Sequence, residues 1–289
     1  MSMRRLYELL LLLCTSFTTQ AAITTYPLWP ANSEHVRPGP AAIVTAKGTV
    51  TRVNAPFLSL YSPTHFNGRT ILIAAGGGYR RIEQAKEAIP AAKFLTHHGF
   101  RVYILTYRLP NARWPEGKDV AVVDVRQALK LLRASTPRLS VLGFSAGAHL
   151  LGVAINRADY TTIPVIDKPT IEGIALLYPI ITLEAPANHS STHRVLVGRT
   201  ASPEDEKKWS VQIMITAHSP PLFVVETDDD PIAPPINGLL LNNAARRHRI
   251  PIEWMRYQKG GHGFGLGQTA TPVSNWPNHY LHWLKHLVD

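Results

Sequence analysis

The segment Gly143-Phe144-Ser145-Ala146-Gly147, a G-x-S-x-G pattern, constrains the fold of this chain more than any other feature. An apolar run leads into it, and a segment with helical spacing follows it. This context predicts a buried strand, a sharp turn and a helix, with the serine at the turn. The flanking glycines leave the hydroxyl uncrowded, and the helix directs its first amide groups toward it. Because so short a pattern also arises by chance, the rest of the chain has to agree with it.

Apolar runs and helical segments alternate along the chain. The apolar runs predict strands over 70–74, 101–106, 140–143, 173–178, 222–226 and 252–257. Helical spacing predicts helices over 85–97, 120–133, 146–156, 235–247 and 276–288. A strand pair at 49–53 and 57–61 is expected to add an antiparallel edge, and the polar segment 181–219 is expected to hold one short helix near Pro203. The alternation predicts an α/β fold with a mostly parallel, eight-stranded sheet and helices on both faces.

Residues 1–21 have the pattern of a secretory signal peptide. Two arginines precede an apolar run at 6–13, and Thr19-Gln20-Ala21 provides small residues for cleavage after Ala21. The run is too short to span a bilayer stably, so no integral membrane association is expected. Two alternatives stay open, which are lipoprotein processing at Cys14 and retention as an uncleaved anchor. No linker divides the remaining 22–289, which predicts a single domain.

Cysteine usage and charge exclude several functions. Cys14 is the only cysteine, so a chain cut after Ala21 has no disulfide, thiolate metal site or cysteine nucleophile. The formal net charge is +10, but the basic residues are scattered and no aromatic–basic pattern of an RNA-binding module accompanies them. A solvated basic surface is therefore expected, with no nucleic-acid partner. The sequence leaves the oligomeric state open.

Chemistry-bearing residues follow three of the predicted strands. Ser145 comes directly after one apolar run, Asp228-Asp229-Asp230 after a second, and His262 in a glycine-rich loop after a third. Parallel strands end at one edge of a sheet, so these groups are expected to meet. A serine hydroxyl needs a base to accept its proton, imidazole does this near neutral pH, and a carboxylate orients the imidazole. The chain order Ser, Asp, His is that of α/β-hydrolases.

A glycine-rich turn, Gly76-Gly77-Gly78-Tyr79, follows the predicted strand 70–74. The backbone amides of Gly77, Gly78 and Ala146 are the expected donors to an oxyanion formed during acyl transfer. A dinucleotide-binding loop is the alternative, but Arg81 stands where that pattern needs a glycine. No cofactor and no metal are expected.

At these residues the chain resembles the α/β-hydrolase carbohydrate esterases of the acetyl xylan esterase and feruloyl-esterase-like group. The resemblance covers nearly the whole mature chain, and the segments that carry it include Tyr26–Pro30, Gly76–Tyr79, Tyr107–Pro110, Gly143–Leu150, Tyr178-Pro179, Asp229-Asp230 and Lys259–Leu266. It implies that Ser145, Asp230 and His262 form a catalytic triad and that the glycine turn contributes to an oxyanion hole. Asp229 remains the alternative acid.

The resemblance implies a secreted or periplasmic serine esterase that hydrolyses acetyl or other small acyl esters, on plant cell-wall carbohydrate such as acetylated xylan. Tyr79, Trp114 and Trp209 are candidate rings of a sugar-binding cleft, with core packing as the alternative. Two other functions stay open. The first is hydrolysis of another bond by a peptidase, amidase or lipase of the same fold. The second is carbohydrate binding without catalysis.

Overall fold

A computed structural model describes residues 23–136, 138–158 and 171–287. The predicted signal peptide lies outside these residues. The strands in chain order are β1 (Thr24–Pro27), β2 (Ala42–Val44), β3 (Val50–Val53), β4 (Phe57–Tyr61), β5 (Thr70–Ala74), β6 (Arg101–Thr106), β7 (Leu139–Phe144), β8 (Ile171–Leu177), β9 (Leu222–Thr227) and β10 (Ile252–Tyr257). The main sheet contains eight of them in the order β1-β4-β6-β5-β7-β8-β9-β10, and β2 pairs with β3 separately.

The α-helices in chain order are α1 (Ile89–His97), α2 (Val120–Arg133), α3 (Ala146–Asn156), α4 (Ser191–Leu196), α5 (Pro203–Lys208), α6 (Ile236–Arg247) and α7 (Trp276–His286). A π-helical turn over Gln84–Ala88 leads into α1. The helix predicted over 85–97 is therefore a π turn followed by a regular helix. The polar segment 181–219 contains α4 in addition to the predicted helix at Pro203.

Burial of the central strands confirms the predicted α/β class. Every residue of β5, β7 and β9 is buried, so neither face of these strands is left to solvent. Side chains alternate between the two faces of a strand, and continuous burial therefore means that both faces are covered. All pairings among β5 to β10 are parallel, whereas β1 and β4 pair antiparallel.

The predicted pairing of 49–53 with 57–61 is wrong. β3 pairs antiparallel with β2, whereas β4 lies between β1 and β6 in the main sheet. The amides of Asn54 and Ala55 both donate to the carbonyl of Ala41, at 2.8 and 3.1 Å. This bonding ties the turn to the start of β2, so the two strands diverge into different sheets.

The parallel strands bring the ends of β5, β7, β9 and β10 to one edge of the sheet. β7 leads directly into α3, and the loops after β9 and β10 carry the acidic run and the glycine-rich histidine loop. Within the described part of the chain, no helix is long and apolar enough to cross a membrane.

Candidate active site

Ser145 lies at the turn between β7 and α3 with a positive-φ backbone conformation, at φ 50° and ψ −118°. A non-glycine residue adopts this conformation only when its surroundings enforce it. The Ser145 amide donates to the Leu177 carbonyl at 2.9 Å, and the His149 amide donates to the Ser145 carbonyl at 3.1 Å. Sheet and helix thus fix the turn from both sides, and the side chain stands at the carboxyl edge.

Three side chains from three different loops form a continuous hydrogen-bond chain. Ser145 Oγ lies 2.8 Å from His262 Nε2, and His262 Nδ1 lies 2.7 Å from Asp230 Oδ2. A carboxylate oxygen only accepts, so Nδ1 carries the proton of the neutral ring and Nε2 is free to accept from the serine hydroxyl. The structure therefore brings together the three residues that the sequence singled out, in the orientation a proton transfer from serine requires.

Asp229 and Asp230, which are neighbours in the aspartate run, make different contacts. Asp230 is 4% exposed, and its second oxygen, Oδ1, accepts from the amides of Ile232 and Ala233, both at 2.8 Å. Asp229 instead accepts from the Gly261 amide at 2.8 Å, which lowers the pKa of this exposed carboxyl. Asp230 thus contacts the imidazole, whereas Asp229 holds the loop that carries it.

The oxyanion candidates lie beside the serine turn. Gly77 and Gly78 have φ of 125° and 63°. Among the described residues, the amides of Gly77, Gly78 and Ala146 donate to no protein acceptor. Gly78 also needs its lack of a side chain, because a Cβ there would lie 2.6 Å from Ser191 Cβ at the start of α4. Unbonded amides on two adjoining turns form the kind of donor set that binds a developing negative charge.

Two further residues, Glu87 and Tyr178, support this arrangement. Glu87 accepts from the Gly76 amide at 2.6 Å and from the Tyr178 hydroxyl at 3.1 Å. Burial raises the pKa of Glu87 to about 7, although both hydrogen bonds oppose that rise. The Tyr178 ring packs edge-on against His262 with 5.1 Å between centroids. Sequence signals for both residues exist, because Tyr178 directly follows a buried strand and Glu87 shares the apolar face of its helical segment with Ala91 and Leu95.

The expectation that Tyr79, Trp114 and Trp209 line a sugar cleft is corrected by their burial, since they are 0%, 4% and 5% exposed. The Tyr79 hydroxyl bonds His149 Nδ1 at 2.9 Å, and the Trp209 ring stacks on the His149 ring. Trp114 packs under the guanidinium groups of Arg37 and Arg108. All three rings are used in interior packing and present no free face to a ligand.

The described side chains include no cluster of three or more His, Cys, Asp or Glu that could hold a metal ion. The arrangement brings together a serine hydroxyl, an imidazole, a carboxylate and unbonded amides, which are the groups that acyl transfer by a serine uses.

The BD-FAE family model matches residues 58–244 of the chain, which is more than half of its length. A sequence relative, the acetylxylan esterase of Xylanibacter ruminicola, is 26% identical over 234 residues. That alignment covers 75% of this chain and 46% of the relative. The chain thus spans less than half the length of this relative.

Solved structures share the fold over most of the chain. The acetyl ester-xyloside bifunctional hydrolase of Caldicellulosiruptor lactoaceticus superimposes with a TM-score of 0.74 and 26% identity, covering 91% of this chain and 95% of that one. The carboxylesterase Cest-2923 of Lactobacillus plantarum superimposes with a TM-score of 0.68 and 21% identity, covering 81% and 94%. These likenesses agree with the α/β-hydrolase fold of the described sheet and helices.

Proposed function

The chain belongs to the BD-FAE family, and from that premise we propose that it is a serine esterase that cleaves small acyl esters. The observation that carries this proposal is the hydrogen-bond chain from Ser145 Oγ through His262 to Asp230. The strained backbone of Ser145 supports it, because strain of this kind concentrates where a side chain is held for chemistry.

In the first half of the reaction, Ser145 Oγ attacks the ester carbonyl carbon while His262 Nε2 takes the hydroxyl proton. The carbonyl oxygen becomes an oxyanion, which accepts hydrogen bonds from the amides of Gly77, Gly78 and Ala146. Asp230 stabilises the imidazolium that forms. The tetrahedral intermediate then collapses, the ester C–O bond breaks, and His262 returns the proton to the departing alcohol.

In the second half, a water molecule replaces the alcohol and His262 takes one of its protons. The hydroxide attacks the carbonyl carbon of the acyl-enzyme. A second oxyanion forms and accepts hydrogen bonds from the same amides, and the ester bond to Ser145 then breaks. His262 gives its proton back to Ser145 Oγ. The products are a carboxylic acid and the free enzyme, so protons and electrons balance without any cofactor.

For the substrate, we propose acetyl groups on plant cell-wall carbohydrate such as xylan. The Xylanibacter relative is named an acetylxylan esterase and the Caldicellulosiruptor structure an acetyl ester-xyloside bifunctional hydrolase, and each is 26% identical to this chain. A secreted or periplasmic location is proposed with it, on the signal-peptide pattern of residues 1–21 alone.

The test measures acetate released from acetylated xylan, with acetylated pectin and p-nitrophenyl acetate in parallel. Wild-type enzyme is expected to release acetate from xylan, and Ser145→Ala to lose about 10⁴-fold or more of the turnover number. Ser140→Ala, which alters another buried serine on β7, is the matched control and is expected to keep full activity. Equal acetate release by wild type and Ser145→Ala would contradict the esterase proposal. Activity on p-nitrophenyl acetate without release from xylan would contradict only the substrate.

A further inference from the structure

Glu87 is a buried carboxyl directly behind the candidate active site that the acyl-transfer steps do not use. It is 4% exposed and lies in the π-helical turn that precedes α1. π-helical turns are rare and occur frequently at functional sites. A buried carboxylate is costly unless its oxygens accept hydrogen bonds, so the donors that reach Glu87 indicate what it does.

The two oxygens of Glu87 bond to two different loops of the site. Oε2 accepts from the Gly76 amide at 2.6 Å, at the start of the glycine turn that holds the oxyanion candidates. Oε1 accepts from the Tyr178 hydroxyl at 3.1 Å, and that hydroxyl in turn accepts from the Gly265 amide at 3.3 Å. Gly265 belongs to the loop of His262. One carboxyl therefore joins the oxyanion turn to the histidine loop.

Contacts around these bonds leave little freedom. A Cβ at Gly76 would lie 2.8 Å from Ser145 Cβ and 3.2 Å from Glu87 Oε2, so the backbone of Gly76 is wedged between the nucleophile and the carboxyl. The Tyr178 ring packs edge-on against both His262 and Phe264, with centroid distances of 5.1 and 4.5 Å. A shift of either loop is thus transmitted to the other through Glu87 and Tyr178.

We propose that Glu87 is a positioning residue, which holds the oxyanion amides and His262 in fixed positions relative to Ser145. The proposal rests on the proposed esterase mechanism and adds a residue that touches neither substrate nor the reacting atoms. Misplacement of reacting groups by about 1 Å can cost about 10²-fold in rate, so loss of the link is expected to lower kcat. Substrate binding in the ground state does not use the link, so KM is expected to stay close to its wild-type value.

Glu226 provides a matched control within the same chain. It is also buried, at 0% exposure, and also accepts two hydrogen bonds, from Trp254 Nε1 at 3.0 Å and from the Gly238 amide at 3.0 Å. Burial raises its pKa to about 7, as for Glu87. Its partners lie on β10 and α6, and neither belongs to the serine, histidine or glycine turns. A substitution there reproduces the loss of a buried carboxyl without touching the link.

The experiment compares Glu87→Gln, Glu87→Ala, Tyr178→Phe and Glu226→Gln in p-nitrophenyl acetate hydrolysis, with thermal melts to confirm folding. Glu87→Gln keeps an acceptor for Gly76 but presents an amide to Tyr178, so kcat is expected to fall about 10-fold. Glu87→Ala loses both bonds, and kcat is expected to fall about 10²-fold. Glu226→Gln is expected to keep the wild-type kcat and KM.

A double variant tests the link itself. Glu87→Gln and Tyr178→Phe break the same hydroxyl–carboxyl bond, so the pair together is expected to lose little more kcat than the larger single loss. If the two losses multiply, the two side chains act independently and the proposal is overturned. It is overturned equally if Glu226→Gln lowers kcat as much as Glu87→Gln, or if the Glu87 variants raise KM with kcat unchanged.

Folding failure of one variant does not remove the test. If Glu87→Ala gives no cooperative melt, the near-isosteric Glu87→Gln and Tyr178→Phe decide the outcome. Ser145→Ala, assayed beside them, separates the two proposals. Wild-type turnover in the Ser145 variant contradicts the esterase mechanism, whereas an inactive Ser145 variant beside fully active Glu87 variants contradicts only the positioning role.

Discussion

Two buried polar clusters in this molecule contain similar hydrogen-bonded groups but differ in their role. In the first, Asp230 orients His262 against Ser145. In the second, Asp124 on α2 accepts from the Arg108 guanidinium at 2.8 Å and from Trp29 Nε1 at 2.9 Å. Each cluster pairs a buried carboxylate with a nitrogen-containing side chain, so burial of the carboxylate alone does not distinguish them.

The difference lies in where each hydrogen-bond chain ends. The side chains of Arg108 and Asp124 are both 0% exposed, and the guanidinium bonds a second carboxylate, Glu116, at 2.9 Å. In the other cluster the His262 side chain is 15% exposed, and the chain ends on a strained serine beside unbonded amides. Loss of one partner from a closed cluster destabilises the fold, whereas a cluster with an open, strained end is available for reaction.

The largest expected contrast comes from one substitution made in both clusters. Asp230→Asn is expected to lower kcat about 10⁴-fold, because the amide no longer fixes the imidazole tautomer. Asp124→Asn leaves the buried Arg108 guanidinium with one carboxylate, Glu116, where it had two, and is expected to lower the unfolding free energy by about 1.5–3 kcal/mol. Steady-state kinetics and urea unfolding of both variants check this.

The loss of kcat is expected in Asp230→Asn and not in Asp124→Asn. A folded Asp124→Asn protein is expected to keep the wild-type kcat, since no described contact joins Asp124 to the serine cluster. Retention of more than about a tenth of wild-type kcat by Asp230→Asn would break the distinction between the clusters.

A smaller effect is expected at the open end of the reactive cluster. Gly78→Ala introduces a Cβ 2.6 Å from Ser191 Cβ at φ 63°, so the glycine turn has to shift. The expected result is a fall in kcat of about 10- to 10²-fold. Gly68→Ala is the control, because Gly68 has a similar φ of 87° but nothing within 4 Å of an added Cβ, and its kcat is expected to stay unchanged.

A second substitution, at Ser191, tests whether the steric clash causes the loss of kcat in Gly78→Ala. Adding Ser191→Gly to Gly78→Ala takes away the side chain that the new methyl group meets, and is expected to restore part of the lost kcat. If Gly78→Ala is as active as Gly68→Ala, the position of the glycine turn does not matter for the reaction.

The last prediction concerns the contribution of the buried Glu226 carboxyl to stability. Burial raises the pKa of Glu226 to about 7 from an ordinary value of 4.5, so between these pH values the folded protein binds more protons than the unfolded chain. This contribution to wild-type stability is fully present below about pH 4.5 and is lost as the pH rises to about 7. Glu226→Gln does not titrate, so its unfolding free energy relative to wild type is expected to rise over that window, by up to about 3 kcal/mol, and then level off.

Urea unfolding of both proteins at intervals from pH 5 to 8 measures this difference. Burial lowers the pKa of His149 to about 4, which gives a stability slope of opposite sign over part of the same range. That slope is common to both proteins and cancels in the comparison. A relative stability that stays constant or falls with pH would mean that Glu226 does not titrate as a buried carboxyl.

The parts of the fold that the sequence predicts well are those with strong periodicity. The strands Thr70–Ala74, Arg101–Thr106 and Ile252–Tyr257 match the predicted bounds, as does α2 at Val120–Arg133. β1 was not predicted, because all four of its residues are exposed and it shows no apolar alternation. Pairing of β3 could not be read from its own residues, since its partner depends on backbone bonds to Ala41.

Some residues of the candidate site could also be predicted from the sequence, and others could not. Ser145, Asp230 and His262 could be predicted because each follows a strand end, and strand order determines which ends meet. The hydrogen bonds of Glu87 to Gly76 and Tyr178 could not be predicted, because only the folded chain brings these three residues together. Burial of the aromatic rings was equally out of reach, since Tyr79 and Trp209 are covered by contacts to His149 that only the folded chain makes.

The central claim, that Ser145 is an activated nucleophile, is tested most directly by covalent labelling with a fluorophosphonate ester followed by mass spectrometry of the digested protein. The account predicts one phosphonyl group per molecule, carried by the peptide that contains Ser145, and no adduct in Ser145→Ala. Labelling at another residue, or equal labelling of the Ser145→Ala variant, would contradict it.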